Sequence, residues 1–271
     1  MIVCLQGGLG NQMFEAAFGF SVAMCREEPI FFTRDRVDAD PKRCYFLGVF
    51  DLPIKFCDPS GAPIYTEDPY SFNPHAYTVP NGTYFIGQWQ TEKYFNTLLV
   101  LDYFKPKVFS ESCRNTVERI NKLHGHSAFI HVRRSDYIEG PNPDYHLTLG
   151  MTYYNEGIDR IRKMDKDVQF FVFSDDRQWC KETFPEFTVV DCTKPGGRYF
   201  GSDQPGNEHE DIWLMSLCRH GIIANSSFSW WGAWLGDVQD NRIIIAPSRW
   251  FGPQFAYLDT KDIIPERWTK I

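Results

Sequence analysis

The run Ser127-Ala128-Phe129-Ile130-His131-Val132 decides the fold class of this 271-residue chain. Four similar runs of β-branched or aromatic residues follow at 168–174, 187–190, 221–224 and 242–246. Segments with helical period separate them at 151–163, 176–183, 208–219 and 227–235. This alternation predicts an α/β half with a doubly wound parallel sheet, covered by helices through right-handed crossovers.

The residues before this run form a less regular α/β half. We expect strands at 1–5, 29–33 and 84–88 and helices at 11–25 and 110–123, with a Pro-, Gly- and Tyr-rich stretch at 57–82. The boundary falls near His124-Gly125, between a helix end and a strand. The sequence therefore predicts two domains, 1–124 and 125–271.

Charge limits the classes of partner. The chain has 28 basic and 35 acidic residues, a net charge of −7, so it is not a general binder of nucleic acid or of anionic membranes. Two or three arginines still suffice for one small anion. With 43% hydrophobic and 23% charged residues the composition is that of an ordinary soluble globule.

Location and thiol state are expectations from simple patterns. A glycine turn at Gly7-Gly8 leaves no room for a signal peptide, and polar residues interrupt the strongest apolar stretch, so we expect a cytoplasmic protein. The eight cysteines show neither a C-x-x-C pair nor zinc-ligand spacing, which favours reduced packing thiols. The oligomeric state stays open.

Polar side chains gather where the predicted strands of the second half end. The carboxyl ends of parallel strands meet at one sheet edge, where ligands bind, often at helix N-termini. The residues concerned are His131, Arg133, Arg134 and Asp136 after the first strand, Ser174, Asp175 and Asp176 after the second, and Ser226, Ser227 and Phe228 after the fourth. These clusters predict a nucleotide site.

Each cluster also has a structural alternative. Arg133 or Arg134 offers forked donors to a diphosphate, or forms a surface ion pair with Asp136. Asp175, with Ser174 as helper, accepts hydrogen bonds from a base or ribose, or the cluster simply caps a helix. For Ser226-Ser227, phosphate binding and capping are compatible. For the three tryptophans of the next helix, core packing is the favoured interpretation: Trp230, Trp231 and Trp234.

The N-terminal turn Gly7-Gly8-Leu9-Gly10-Asn11 invites a dinucleotide-binding interpretation, because it follows a strand. Met13 stands where that motif needs Gly or Ala, so a nicotinamide enzyme is not expected. Gly8 and Gly10 would shape a turn that carries Asn11 toward a cleft. The alternative is a simple strand-to-helix turn.

Four motifs together resemble the alpha-1,2-fucosyltransferases of glycosyltransferase family 11. They are Gly7-Gly8-Leu9-Gly10-Asn11-Gln12-Met13-Phe14, His131-Val132-Arg133-Arg134-x-Asp136-Tyr137, Ser174-Asp175-Asp176-x-x-Trp179, and Asp211 through Ala224-Asn225-Ser226-Ser227-Phe228-Ser229-Trp230-Trp231-Gly232. Their order and spacing cover nearly the whole chain.

The resemblance implies a GT-B-like fold, with two Rossmann-like halves facing across a donor-binding cleft. It implies an enzyme that transfers fucose, with inversion, from GDP-fucose to the 2-hydroxyl of a galactose-terminated oligosaccharide or lipid-linked glycan. GDP-fucose is then a substrate held mainly by the second half, and neither a cofactor nor a metal ion is required.

The resemblance also implies roles for single residues. Arg133 would grip the β-phosphate, His131 would lie beside ribose or guanine, and Asp175 would read the guanine edge. Ser226, Ser227 and Phe228 would form the phosphate-binding helix start, and Asn11 would reach across the cleft. Asp136 is the first candidate for a general base, with an ion pair that orients the arginines as an equal alternative.

Two other functions remain open. One is a GDP-sugar transferase with a different linkage or acceptor. The other is a non-catalytic protein that binds a sugar or nucleotide. The loop from Pro195 to Gly206 is either a lid or a surface excursion.

Overall fold

A computed structural model describes residues 1–68, 70–134, 137–138, 145–198, 201–237 and 241–271. Its contacts divide the chain into two compact units. Unit 1 comprises Met1–Lys105, Pro195–Asn207 and Leu258–Pro265, and unit 2 comprises Pro106–Lys194, Glu208–Tyr257 and Glu266–Ile271.

Unit 1 is built on a four-stranded parallel sheet. The strands are β1 (Ile2–Cys4), β2 (Phe31–Thr33), β3 (Ile64–Thr66) and β4 (Tyr84–Ile86), in the order β2-β1-β4-β3. The helices are α1 (Leu9–Arg26), α2 (Asp35–Ala39) and α3 (Thr97–Phe104). Its core is aromatic, since Phe18 of α1 stacks on Trp89 with 3.8 Å between ring centroids.

The turn after β1 has one position that requires glycine. Gly7 has φ +71°, a conformation that side chains disfavour, and a Cβ there would lie 2.6 Å from Asn11 Nδ2. Gly8 is the N-cap of α1 with φ −84°, and Gly10 lies inside the first turn of that helix. Helix α1 thus begins two residues earlier than predicted, and Asn11 is helical.

Unit 2 contains a six-stranded parallel sheet. Its strands are β5 (Ser127–Val132), β6 (Gln169–Ser174), β7 (Thr188–Val189), β8 (His220–Ile222), β9 (Ile244–Ala246) and β10 (Thr269–Lys270). Its helices are α4 (Glu111–Lys122), α5 (Met151–Met164), α6 (Arg177–Thr183), α7 (His209–Leu217) and α8 (Ser227–Leu235). The predicted parallel α/β organisation is confirmed.

The strand order of the unit 2 sheet predicts where a ligand crevice lies. The sheet runs β10-β9-β8-β5-β6-β7, so the chain leaves β5 toward β6 and later returns to the other side of β5 as β8. In such doubly wound sheets ligands bind beyond the carboxyl ends of the strands at this switch point. The relevant edge of unit 2 therefore lies after Val132 and Ile222.

The units differ from the predicted halves. Helix α4, predicted in the first half, belongs to unit 2, while two segments from the second half belong to unit 1. The loop predicted as a lid or a surface excursion is one of them, and Arg198 there donates to the carbonyl oxygens of Asp38 and Asp40 at 3.0 and 2.6 Å.

Two further predictions concern packing and membranes. Trp230, Trp231 and Trp234 are buried, which confirms their role in the core. Five of the eight cysteines are buried, as expected of packing thiols. In the described part of the chain, no helix has the length and apolar character needed to cross a bilayer.

Candidate functional site

The register between β5 and β6 brings Arg133 next to Asp175. Val132 pairs with Ser174 at the ends of these parallel strands, so the residues that follow lie side by side. Arg133 Nε lies 3.3 Å from Asp175 Oδ2, and the backbone N–H of Arg134 donates to Asp175 Oδ1 at 3.0 Å. The sequence alternative of an ion pair between an arginine and Asp136 lies outside the described residues. Among the described residues, Asp175 is an ion-pair partner of Arg133.

Arg134 forms a separate pair one residue further on. Its Nε donates to Asp176 Oδ2 at 3.1 Å, and its guanidinium carbon lies 4.1 Å from the centre of the Trp179 ring. Asp176 also caps α6, because its Oδ1 accepts from the backbone N–H of Trp179 at 3.1 Å. Arg134 is thus fixed by a carboxylate and an aromatic face.

His131 lies inside β5 with its ring against Phe228 of α8, at a centroid distance of 5.6 Å. Burial, and secondarily the charge of Arg133, lowers the pKa of His131 to about 3, so the imidazole is neutral. Its Nδ1 is buried and has no hydrogen-bond partner among the described residues. A neutral ring with an unmatched polar atom is suited to a ligand contact at this edge.

Helix α8 begins at the same edge. Ser226 has an extended backbone and its Oγ accepts from the N–H of Phe228 at 3.4 Å, which makes it the N-cap. The first turn of a helix presents backbone N–H groups and the positive end of the dipole. Capping by Ser226 and anion binding by the helix start are compatible, as expected from the sequence.

Tyr137 connects the two sides of the edge, a role that the sequence motif did not reveal. Its hydroxyl donates to the carbonyl of Asn225 at 2.8 Å, and Arg133 Cζ lies 5.8 Å from its ring centre. The Asn225 side chain in turn donates to the carbonyls of Leu147 and Trp250 at 3.0 and 2.8 Å. Through these two bonds, Asn225 fixes the loops that contain Leu147 and Trp250.

A second polar group, not predicted as a site, lies after β6 and β7. Thr193 Oγ1 donates to Asp211 Oδ2 at 2.8 Å, and Arg177 donates to the hydroxyl and carbonyl of Thr193. Burial raises the pKa of Asp211 to about 7, partly offset by the Thr193 bond and by Arg177. Asp211 Oδ1 is buried with no partner in the described residues. The sequence signal that could have identified Asp211 is its position, since it is an acidic residue in the first turn of a buried helix.

Of the remaining predicted site residues that the structure describes, Ser174 lies at this edge and the others belong to unit 1. Ser174 ends β6, and its Oγ accepts from the N–H of Asp176 at 2.9 Å. Gly8, Gly10 and Asn11 belong to unit 1, where Asn11 Oδ1 accepts from Gln90 Nε2 at 3.1 Å. Asp136, the predicted general base, lies outside the described residues.

Unit 1 holds its own buried carboxyl after β3. Glu67 Oε2 accepts from the backbone N–H groups of Gln88 and Trp89 at 2.6 and 2.9 Å. Burial raises the pKa of Glu67 from 4.5 to about 7, although these two bonds lower it. Its Oε1 is buried without a partner in the described chain. Glu67 thereby fixes the loop after β4.

Two known glycosyltransferases are similar to this chain in sequence. An alpha-1,2-colitosyltransferase of Escherichia coli is 31% identical over 299 residues, covering 100% of this chain and 98% of that protein. A galactoside alpha-(1,2)-fucosyltransferase 1 of Mus musculus is 31% identical over 107 residues, covering 39% of this chain and 27% of that protein.

A solved structure supports the fold. The alpha-1,6-fucosyltransferase NodZ, soaked with GDP-fucose, aligns with a TM-score of 0.50 at 13% identity, covering 86% of this chain and 91% of that one. The similarity confirms the predicted GT-B-like α/β fold class. The model of glycosyl transferase family 11 matches residues 71–271. By this match and by the full-length similarity to the colitosyltransferase, the chain belongs to glycosyltransferase family 11.

Proposed function

We propose that the chain transfers fucose from GDP-fucose to the 2-hydroxyl of a galactose-terminated glycan, with inversion at the fucose carbon. One observation carries the proposal. Arg133 lies at the switch point of the unit 2 sheet, linked through Tyr137 to the loop that starts the Ser226-capped helix. A fixed guanidinium beside a helix start is an arrangement suited to a diphosphate.

In the proposed chemistry, stabilisation of the leaving group contributes most to the lowering of the barrier. An acceptor hydroxyl attacks fucose C1 while the bond to the GDP oxygen breaks, and negative charge grows on the diphosphate. Donors already aimed at that charge stabilise the transition state more than the ground state. Arg133 and the start of α8, with Ser226, Ser227 and Phe228, would supply them, so we propose that no metal ion is needed.

Other residues complete the proposed site. His131, with its unmatched Nδ1, would contact the ribose or guanine. Asp136 stays the proposed general base: Asp136→Asn is expected to cut transfer sharply and leave GDP affinity nearly intact. Loss of GDP binding instead would assign Asp136 to positioning the arginines. Asn11 remains a proposed contact of unit 1.

A second donor is favoured by a specific finding. A relative that aligns over the whole chain is a colitosyltransferase. Colitose is fucose without the 3-hydroxyl. A pocket that tolerates the absence of one hydroxyl would accept both sugars, whereas one that hydrogen-bonds the 3-hydroxyl discriminates strongly.

A donor and acceptor panel tests these proposals. The purified chain is assayed for GDP release with GDP-fucose and GDP-colitose, with galactose-terminated and other oligosaccharides, with and without a metal chelator. We expect a product whose NMR linkage is α-1,2 to galactose and a rate unchanged by the chelator. A different linkage would support the alternative of a GDP-sugar transferase with another linkage. The absence of turnover with every GDP-sugar would refute the proposal that the chain is an enzyme.

A further inference from the structure

We infer that Asp175 is a positioning residue for Arg133 and does not read the guanine edge. The inference rests on the proposed GDP-sugar donor and deepens it, because it assigns the phosphate grip to an arginine–carboxylate unit. It departs from the role that the family resemblance implied for Asp175.

The two oxygens of Asp175 already have protein partners. Oδ2 faces Arg133 Nε at 3.3 Å, and Oδ1 accepts from the Arg134 backbone N–H at 3.0 Å. The Asp175 side chain is only 7% exposed. A carboxylate that reads guanine would instead turn both oxygens toward the N–H groups of the base.

The contacts of Asp175 fix both the backbone at Arg134 and the side chain of Arg133. The bond to the Arg134 N–H holds the backbone just after β5, and the contact at Nε fixes the plane of the Arg133 guanidinium. The Tyr137 ring lies near the same guanidinium, with its centre 5.8 Å from Cζ. A guanidinium held in this way needs no reorganisation as charge develops on the diphosphate.

Asp176 is the matched carboxylate of the same turn. It also joins an arginine Nε to a backbone N–H, but its partners are Arg134 and the α6 residue Trp179. Its substitution therefore perturbs the same segment without touching the Arg133 contact.

The test uses Asp175→Asn. An amide offers one acceptor and one donor, so it satisfies only one of the two N–H groups that the carboxylate satisfies. Calorimetric Kd values are measured for GDP, GMP, which lacks the β-phosphate, and IDP, which lacks the guanine amino group. We expect GDP affinity to fall by about tenfold or more, because a charge-assisted contact is lost. GMP affinity should stay within about twofold, and the GDP-to-IDP ratio should not change.

Two controls sharpen the comparison. Asp176→Asn retains a good N-cap and should keep the wild-type GDP-to-GMP ratio. In an Arg133→Ala background, Asp175→Asn should cause no further loss of GDP affinity, since the residues act as one unit. With GDP-fucose at saturation, Asp175→Asn should also lower kcat.

The outcomes separate the hypotheses. A GDP-to-IDP ratio that collapses while the GDP-to-GMP ratio persists would show that Asp175 reads the base and overturn the inference. Equal losses for GDP and GMP would reduce Asp175 to a structural role. A wild-type protein that binds neither GDP nor GMP would refute the proposed donor itself and the inference with it.

Discussion

Arg133 and Arg134 are neighbours in the sequence, but their surroundings differ. Arg134 stacks on Trp179 and pairs with the carboxylate that caps α6, so it stabilises the fold of the edge. Arg133 pairs with Asp175 and lies near the ring of Tyr137, whose hydroxyl leads to the start of α8. The forked guanidinium geometry therefore matters most at Arg133.

Removal of the Arg133 guanidinium should abolish most of the proposed activity. Arg133→Ala is expected to lower kcat/KM with GDP-fucose by about 100-fold or more, because a preorganised donor to the leaving group is lost. Arg160→Ala is the control, since Arg160 pairs with Glu156 four residues earlier on α5. Initial rates of GDP release measure both. More than a tenth of wild-type activity in Arg133→Ala would contradict the assignment.

Glu67 should give unit 1 a pH-dependent stability. Its folded pKa of about 7 exceeds the usual 4.5, so the folded state binds the proton more tightly. This shift contributes on the order of 3 kcal/mol to the free energy of unfolding. The contribution is fully present below about pH 4.5 and is lost as the pH rises to about 7. Glu67→Gln should remove this loss.

Urea unfolding at pH 5 and pH 8 measures the difference between Glu67→Gln and the wild type. The variant should gain stability relative to the wild type at the higher pH, because a buried charge no longer forms. A difference that is the same at both pH values would show that the Glu67 carboxyl ionises normally in the folded protein.

Helices α7 and α8 approach closely at Gly232. A Cβ at this position would lie 2.7 Å from Met215 Cβ. A Cβ atom is bonded directly to the backbone, so a change of rotamer cannot move it out of the way. The absence of a side chain at Gly232 therefore allows α7 and α8 to pack this closely.

Gly232→Ala should therefore destabilise the protein, by about 1–3 kcal/mol, although alanine is the better helix former. Gly150→Ala is the matched control, because a Cβ there meets nothing within 4 Å and its φ of −83° suits alanine. Thermal unfolding compares the two. A rise in Tm for Gly232→Ala would show that the helices can separate without cost.

Sequence patterns located the main elements of unit 2 well and some others poorly. Strand β5 matches its prediction, and β6 and α8 differ by at most one residue, because long apolar runs and a serine cap mark them. Strand β3 lies inside the Pro-, Gly- and Tyr-rich stretch and has no buried residue, and β10 is only Thr269–Lys270, so neither shows an apolar run. In α3 apolar residues fill most positions, including exposed ones such as Leu98, so the sequence shows no clear helical period.

The sequence suggests which residues could form the candidate site, but it does not show which of them contact each other. Arg133 and Asp175 are 42 residues apart, and only the β5–β6 register makes them neighbours. The only carboxylate that the sequence suggested as a partner of the arginines was Asp136, which is closer along the chain, and that ion pair was one of two open interpretations. Tyr137 and Asp211 were missed as contributors because their contacts run to Asn225 and Thr193, both distant in sequence.

Unit 1 depends on a segment far along the chain. Asp262 accepts from the Phe72 N–H at 2.8 Å and from Lys93 Nζ at 2.5 Å. Asp262→Ala should cost about 1–3 kcal/mol, because a part-buried donor loses its acceptor. Hydrogen exchange is expected to accelerate in β3 and β4 and not in β5 and β6.

Asp259→Ala is the control for this prediction, because Asp259 pairs with the nearby Lys261 at the surface. It should leave exchange in both units unchanged. Equal acceleration in both units after Asp262→Ala would show that the segment stabilises the whole protein and not unit 1 alone.

The interleaving of segments has a consequence for biosynthesis. Unit 1 includes Leu258–Pro265, and the edge strand β10 of unit 2 follows at Thr269–Lys270. A nascent chain that has emerged only to Lys105 therefore lacks part of unit 1, and one that has emerged to Tyr257 completes neither unit. Neither unit can therefore complete its packing before Leu258–Pro265 and Thr269–Lys270 have been synthesised.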